Sequence, residues 1–169
     1  MTGPDPDADV ELVLASYGRA MLTAQVVEQY LDALWTLSFG EQRPNAHGRG
    51  DAKAWRRMLA ALEEATPRKV ARALAPQLDK QLTGQLEDMF RSRDLLAGSY
   101  LREQVRRGSS GPRFDEGTHR RLVELHERWS AVARALEAMI DRAAEKLGDG
   151  IAAWPAEARA AVEAAQKRR

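Results

Sequence analysis

The stretch DVELVLASYGRAMLTAQVVEQYLDALWTLSF, residues 9–39, sets Leu14, Tyr17, Met21, Ala24, Leu31, Leu34, Trp35 and Ser38 at helical intervals. That spacing keeps one side of a helix largely apolar for about eight turns, so the stretch predicts one long helix from about Asp9 to Phe39. A stripe of this length is stable only against partner helices. The remaining composition agrees: 29 Ala and 19 Leu stand against 9 Val and 2 Ile, which favours helix over strand. The expected fold class is all-α.

Working outward, GEQRPNAHGRGD (40–51) holds three Gly and one Pro and reads as a loop, with Asp51 placed to cap a second helix from about Ala52 to Ala65. Thr66 followed by Pro67 starts a short helix through about Leu74, and Pro76 ends it. From about Leu78 the apolar positions Leu82, Leu86, Met89, Phe90, Ala97, Tyr100, Leu101 and Val105 extend a helix to RRGSSGPRF, whose residues 108–112 read as a solvated linker. Asp115 or Thr118 then caps a closing helix with the stripe Leu122, His126, Trp129, Ala133, Leu136, Ile140, Ala143 and Leu147, stopped by GDG. The expected architecture is an up-and-down bundle of four to six helices over residues 9–149. An acidic leader, 1–8, precedes it, and a peripheral helix ending in the basic tail QKRR occupies 150–169.

With 169 residues one domain is the expectation, since such a chain can bury roughly 70% of its unfolded surface around one core. The 26 basic and 25 acidic side chains leave a net charge of +1, so any binding of nucleic acid must be local. Cysteine is absent, which excludes disulfides, thiol nucleophiles and Cys-ligated zinc. A mean hydropathy of −0.51 and no apolar run of membrane length argue against a membrane partner, and the acidic opening MTGPDPDAD is unlike a signal peptide, so the expected location is cytoplasmic. His47, His119 and His126 form no metal pattern, and no phosphate-cradling Gly motif occurs, so no metal or cofactor is expected. Arg102, Arg106 and Arg107, with Arg113, Arg120 and Arg121, either form a local phosphate-binding patch or complement a helix C-terminus, partly neutralised by Glu103, Asp115 and Glu116.

The position that breaks the pattern is Arg93, which falls in the core-facing series Leu82, Leu86, Met89, Arg93, Ala97, Tyr100. A buried unpaired guanidinium would cost several kcal/mol, so Arg93 must reach a carboxylate, reach solvent, or lie on a face with another use. Asp94 points about 100° away on the helix and is not expected to be the facing partner. Glu28, Glu124 or Glu127 on a neighbouring helix would satisfy it as a purely structural ion pair.

The stretch MFRSRDLLAGSYLRE (89–103) resembles the central motif of small helical bacterial proteins that reads roughly Arg-Asn-x-Leu-Ala-His-x-Tyr/Phe-x-x-Glu, a pattern similar to the Arg-x4-6-His motif of the HEPN superfamily. GRAMLTAQVVEQYLDALW (18–35) and RRLVELHERWSAVARALEAM (120–139) resemble the opening and closing helices of that group. The resemblance implies a four- or five-helix bundle that dimerises, with the motif Arg and His meeting at the dimer cleft to cleave RNA without a metal. By that resemblance Arg93 takes the motif Arg, Asp94 the polar residue after it, and Ala97, Tyr100 and Glu103 fit their places. The motif His is replaced by Gly98. Neither serine nor tyrosine, the next two residue types, titrates near neutrality, so the proton-transfer partner is missing.

The expected function is therefore a non-catalytic, HEPN-like interaction module: a homodimer through the face carrying Arg93, with a possible protein partner and weaker support for RNA. A bacterial stress, defence or toxin-antitoxin setting is implied by the resemblance alone. One alternative is a metal-independent ribonuclease in which Arg93 holds the scissile phosphate and His126 or Tyr100 replaces the absent His. The other is a plain bundle with Arg93 in a buried ion pair.

Overall fold

In the computed structural model, residues 6–39, 50–100, 105–108, 111–114 and 117–147 are described. Among them are five α-helices: α1 (Pro6–Ser38), α2 (Ala52–Glu63), α3 (Pro67–Leu74), α4 (Lys80–Leu95) and α5 (Thr118–Leu147). The helical class and the bundle hold, with one addition, a small antiparallel hairpin of β1 (Val105–Gly108) and β2 (Gly111–Phe114).

Local chemistry sets most boundaries. α1 begins at Pro6, inside the expected leader, because Pro fits a first helical turn where its missing N–H is no loss. Residues 1–5 of that leader, the expected tail at 150–169 and the loop carrying His47 lie outside the described residues. Asp51 caps α2 as its sequence suggests, accepting from the backbone N–H groups of Lys53 and Ala54 at 2.9 and 3.0 Å. Those two bonds hold its carboxyl below the usual carboxylate range. Pro67 opens α3, and Pro76 sits in the 3-10 turn Ala75–Gln77 that follows it. Asp79 then caps α4 through the Leu82 N–H at 2.7 Å.

The segment after α4 corrects the sequence reading. The helix stops at Leu95, continues as one π turn over Leu96–Tyr100, and residues 105–108 pair with 111–114 as strands where a helix end and a solvated linker are expected. The expected helical position Leu101 lies outside the described residues, and Val105 stands in β1. The stronger signal is Val105 paired with Phe114 at one end and Gly108 with Gly111 at the other, which brackets a two-residue connection. The π turn also moves the buried stripe: Leu96 is buried and Ala97 exposed, the reverse of a continued α-helical register.

α1 and α5 form the most extensive interface. They run parallel, since Ser16 meets His119 and Thr23 meets His126 at the same sequence separation. α4 runs antiparallel to α1, as shown by Tyr17 with Leu96 and Glu28 with Arg93. Flanked on both sides, α1 buries a wider face than its expected stripe: Val13, Ser16, Ala20, Val27 and Leu37 are buried. Leu14, expected inside, is 48% exposed. Trp129, Leu31, Leu136, Met89 and Leu122 fill the centre. No helix among the described residues is long and apolar enough to cross a membrane.

Candidate functional site

Arg93 leaves the last turn of α4 and crosses to α1, where its Nη2 lies 2.8 Å from Glu28 Oε1. The N–H groups are not aligned on that oxygen, so the contact is an ion pair without a formed hydrogen bond; the Glu28 Oε1 atom itself is fully buried. Glu28 is thus the carboxylate, of the three considered, that Arg93 reaches. Asp94 also pairs with Arg93, at 3.2 Å, against the expectation from the helical wheel. A guanidinium on a flexible stem can fold back along its own helix to a neighbouring side chain, which angular position at Cα does not capture.

The chain of charge continues outward. Asp94 accepts a second hydrogen bond from Arg68 on α3 at 2.7 Å, and the Arg68 guanidinium lies 5.9 Å from the Phe90 ring centre. Inward, one helical turn beyond Glu28, stands Asp32, a half-buried carboxylate that the sequence reading missed. Its signal was the acidic pair at i and i+4 on a helix otherwise apolar on that side. Burial, reinforced by the Glu28 charge, pushes the Asp32 carboxyl up to about 6. Burial also raises Glu28, opposed by the Arg93 charge and assisted by that of Asp94.

The ordered cluster is Arg68, Asp94, Arg93, Glu28 and Asp32, three carboxylates with two guanidiniums. Such a set does not attract phosphate: the Arg93 charge is already met from two sides, and Asp32 adds negative charge behind it.

The other expected residues lie elsewhere. His126 binds Thr23, five residues before Glu28 and about 140° around α1, so His126 and Arg93 engage different faces of that helix. The Tyr100 hydroxyl accepts from Arg121 Nε at 3.3 Å, on the α4-to-α5 side. Gly98 lies in the π turn with open space around it. Arg102 falls outside the described residues, and Arg106 and Arg107 are described only as β1 backbone, paired with Arg113 and Pro112. Among the described residues no group of three or more potential ligands could hold a metal ion. The chain matches no family model, no curated protein and no solved structure.

Proposed function

We propose that this chain is a non-catalytic, HEPN-like interaction module that works as a homodimer through the face carrying Arg93. The observation that carries this reading is the Arg93 guanidinium, held between Glu28 at 2.8 Å and Asp94 at 3.2 Å. A residue that stabilises a scissile phosphate needs unspent positive charge, and here the neighbouring carboxylates consume it. The missing motif His at Gly98 supports the same conclusion, because no imidazole stands at the place where the resemblance requires one. The half-exposed outer end of the cluster, Arg68 with Asp94, presents both signs of charge to a partner, which suits a self-complementary contact. The bacterial stress, defence or toxin-antitoxin setting enters this reading through the resemblance alone.

Asp32 favours a second reading, a metal-independent ribonuclease whose proton-transfer group is a carboxyl with a pKa of about 6 instead of an imidazole. One experiment separates the two. Wild type and Arg93→Ala are compared by sedimentation and by RNA cleavage in chelator. A dimer that leaves RNA intact supports the interaction module. Cleavage that follows a group titrating near pH 6 and is lost in a folded Arg93→Ala variant establishes the nuclease instead.

A further inference from the structure

α3 and α4 turn back on each other around Pro76, and the groove between them holds a cleft of about 520 Å³. The wall on the α3 side is built by two i, i+4 pairs, Arg68 with Arg72 and Ala71 with Ala75, the last in the 3-10 turn after α3, so small residues face the groove while long basic ones rise at its edge. The space exists because two alanines stand where larger side chains would close the helix pair. Leu86 and Phe90 of α4 form the apolar base, and Arg91 adds a third guanidinium to the rim. Against these three cations the cleft carries one carboxylate, Glu87.

The three arginines are not equally committed. Arg68 is tied to Asp94 and lies over Phe90. Arg91 pairs with Asp88 at 3.1 Å, with both side chains more than half exposed, a contact of little energetic weight. The Arg72 side chain has no hydrogen-bond or ion-pair partner among the described residues. An apolar base, a rim of three guanidiniums and, among them, one whose side chain is uncommitted are the elements of a site for an amphiphilic anion.

We propose that this cleft binds a small organic anion with an apolar or aromatic body, its acidic group held by Arg72 and Arg91. The volume lies in the range of small-ligand sites, and α3, at eight residues, offers about 12 Å of wall, too short to seat a docked helix. The arginine stems supply apolar contact along the flanks. The proposal does not rest on the Arg93 reading, although Arg68 belongs both to the cleft rim and to the cluster around Arg93.

The test uses anilinonaphthalene sulfonate and its uncharged parent, phenylnaphthylamine, as fluorescent probes on the full chain. The anionic probe is expected to bind more tightly, to be displaced by decanoate, and to weaken about tenfold in Arg72→Gln and in Arg91→Gln, while the uncharged probe changes little. Ala75→Leu fills the cleft and is expected to weaken both probes. Both arginines are exposed, so the variants should keep the wild-type melting profile, which is checked by circular dichroism. Equal affinity for the two probes, or unchanged anion binding in both arginine variants, overturns the proposal.

Discussion

Thr23 and His126 meet across the seam of the parallel helices α1 and α5 at 2.9 Å, and the same hydroxyl-to-imidazole pairing stands seven residues earlier between Ser16 and His119 at 3.0 Å. The Thr23 hydroxyl also donates to the Arg19 carbonyl at 2.9 Å. With its hydrogen spent there, Thr23 Oγ1 is left to accept, so His126 Nδ1 must be the donor. Nitrogen NMR at neutral to mildly alkaline pH is therefore expected to show His126 carrying its proton on Nδ1. Thr23→Val leaves that N–H without its acceptor and is expected to cost about 1 kcal/mol in denaturant unfolding. A neutral His126 protonated on Nε2 would contradict the assignment.

Arg93 and Glu28 are coupled in a way that alanine replacement can measure. Removing Arg93 leaves a carboxylate with 18% side-chain exposure facing α4 without its cation, so Arg93→Ala is expected to destabilise by about 1–3 kcal/mol. Glu28→Gln removes the charge that needs compensation and is expected to cost less. A double-mutant cycle on the two should give a coupling of about 1 kcal/mol, reduced because Arg93 remains one-third exposed. Strictly additive effects would show that the pair carries no interaction energy.

The parts of this arrangement that were legible in the sequence are those fixed by local spacing. Asp51 as a cap, the Thr66-Pro67 helix start and the α5 stripe through Trp129 and Leu136 each follow from residues within a turn or two, and each is present. Arg93 stood out for the same reason, as a cation in an apolar series. Its partner did not: choosing Glu28 over Glu124 and Glu127 requires knowing that α4 lies antiparallel on α1, a relationship between segments more than sixty residues apart. The π turn at Leu96–Tyr100 was illegible because one extra residue per turn leaves no mark in composition, yet it turns Leu96 inward and Ala97 outward. Asp32 escaped because its raised titration comes from what covers it, not from its neighbours in the chain.

Asp32 gives the folded protein a pH dependence with a definite sign. Its carboxyl titrates at about 6 in the folded chain against the ordinary 3.8, so between about pH 4 and pH 6 the folded state binds more protons than the unfolded one. Stability therefore falls as pH rises through that window, and the full penalty of the buried charge is present above it. Because Asp32 keeps some contact with solvent, the penalty is discounted to about 1 kcal/mol. Asp32→Asn is expected to raise the denaturation midpoint at about pH 7.5 and to leave it nearly unchanged at about pH 4. A variant that stabilises equally at both values would place the effect outside the titration of Asp32.

Gly98 offers the sharpest test of the resemblance. A Cβ built there meets no atom within 4 Å, and the backbone has no positive φ, so a side chain enters without strain. Gly98→Ala is expected to stabilise by about 0.5–1 kcal/mol, through the lower conformational freedom of the unfolded chain. Gly98→His should fold equally well and sets an imidazole where the HEPN pattern has one. If the central helix descends from that catalytic arrangement, Gly98→His should cleave RNA in chelator above the wild-type level, and adding Arg93→Ala should abolish the gain. Adding Glu28→Gln instead should increase it, because the Arg93 guanidinium would then face one carboxylate fewer and keep charge for a phosphate. A folded, dimeric Gly98→His, Glu28→Gln variant that leaves RNA intact would mean that the likeness of RDLLAGSY to the motif is one of sequence alone.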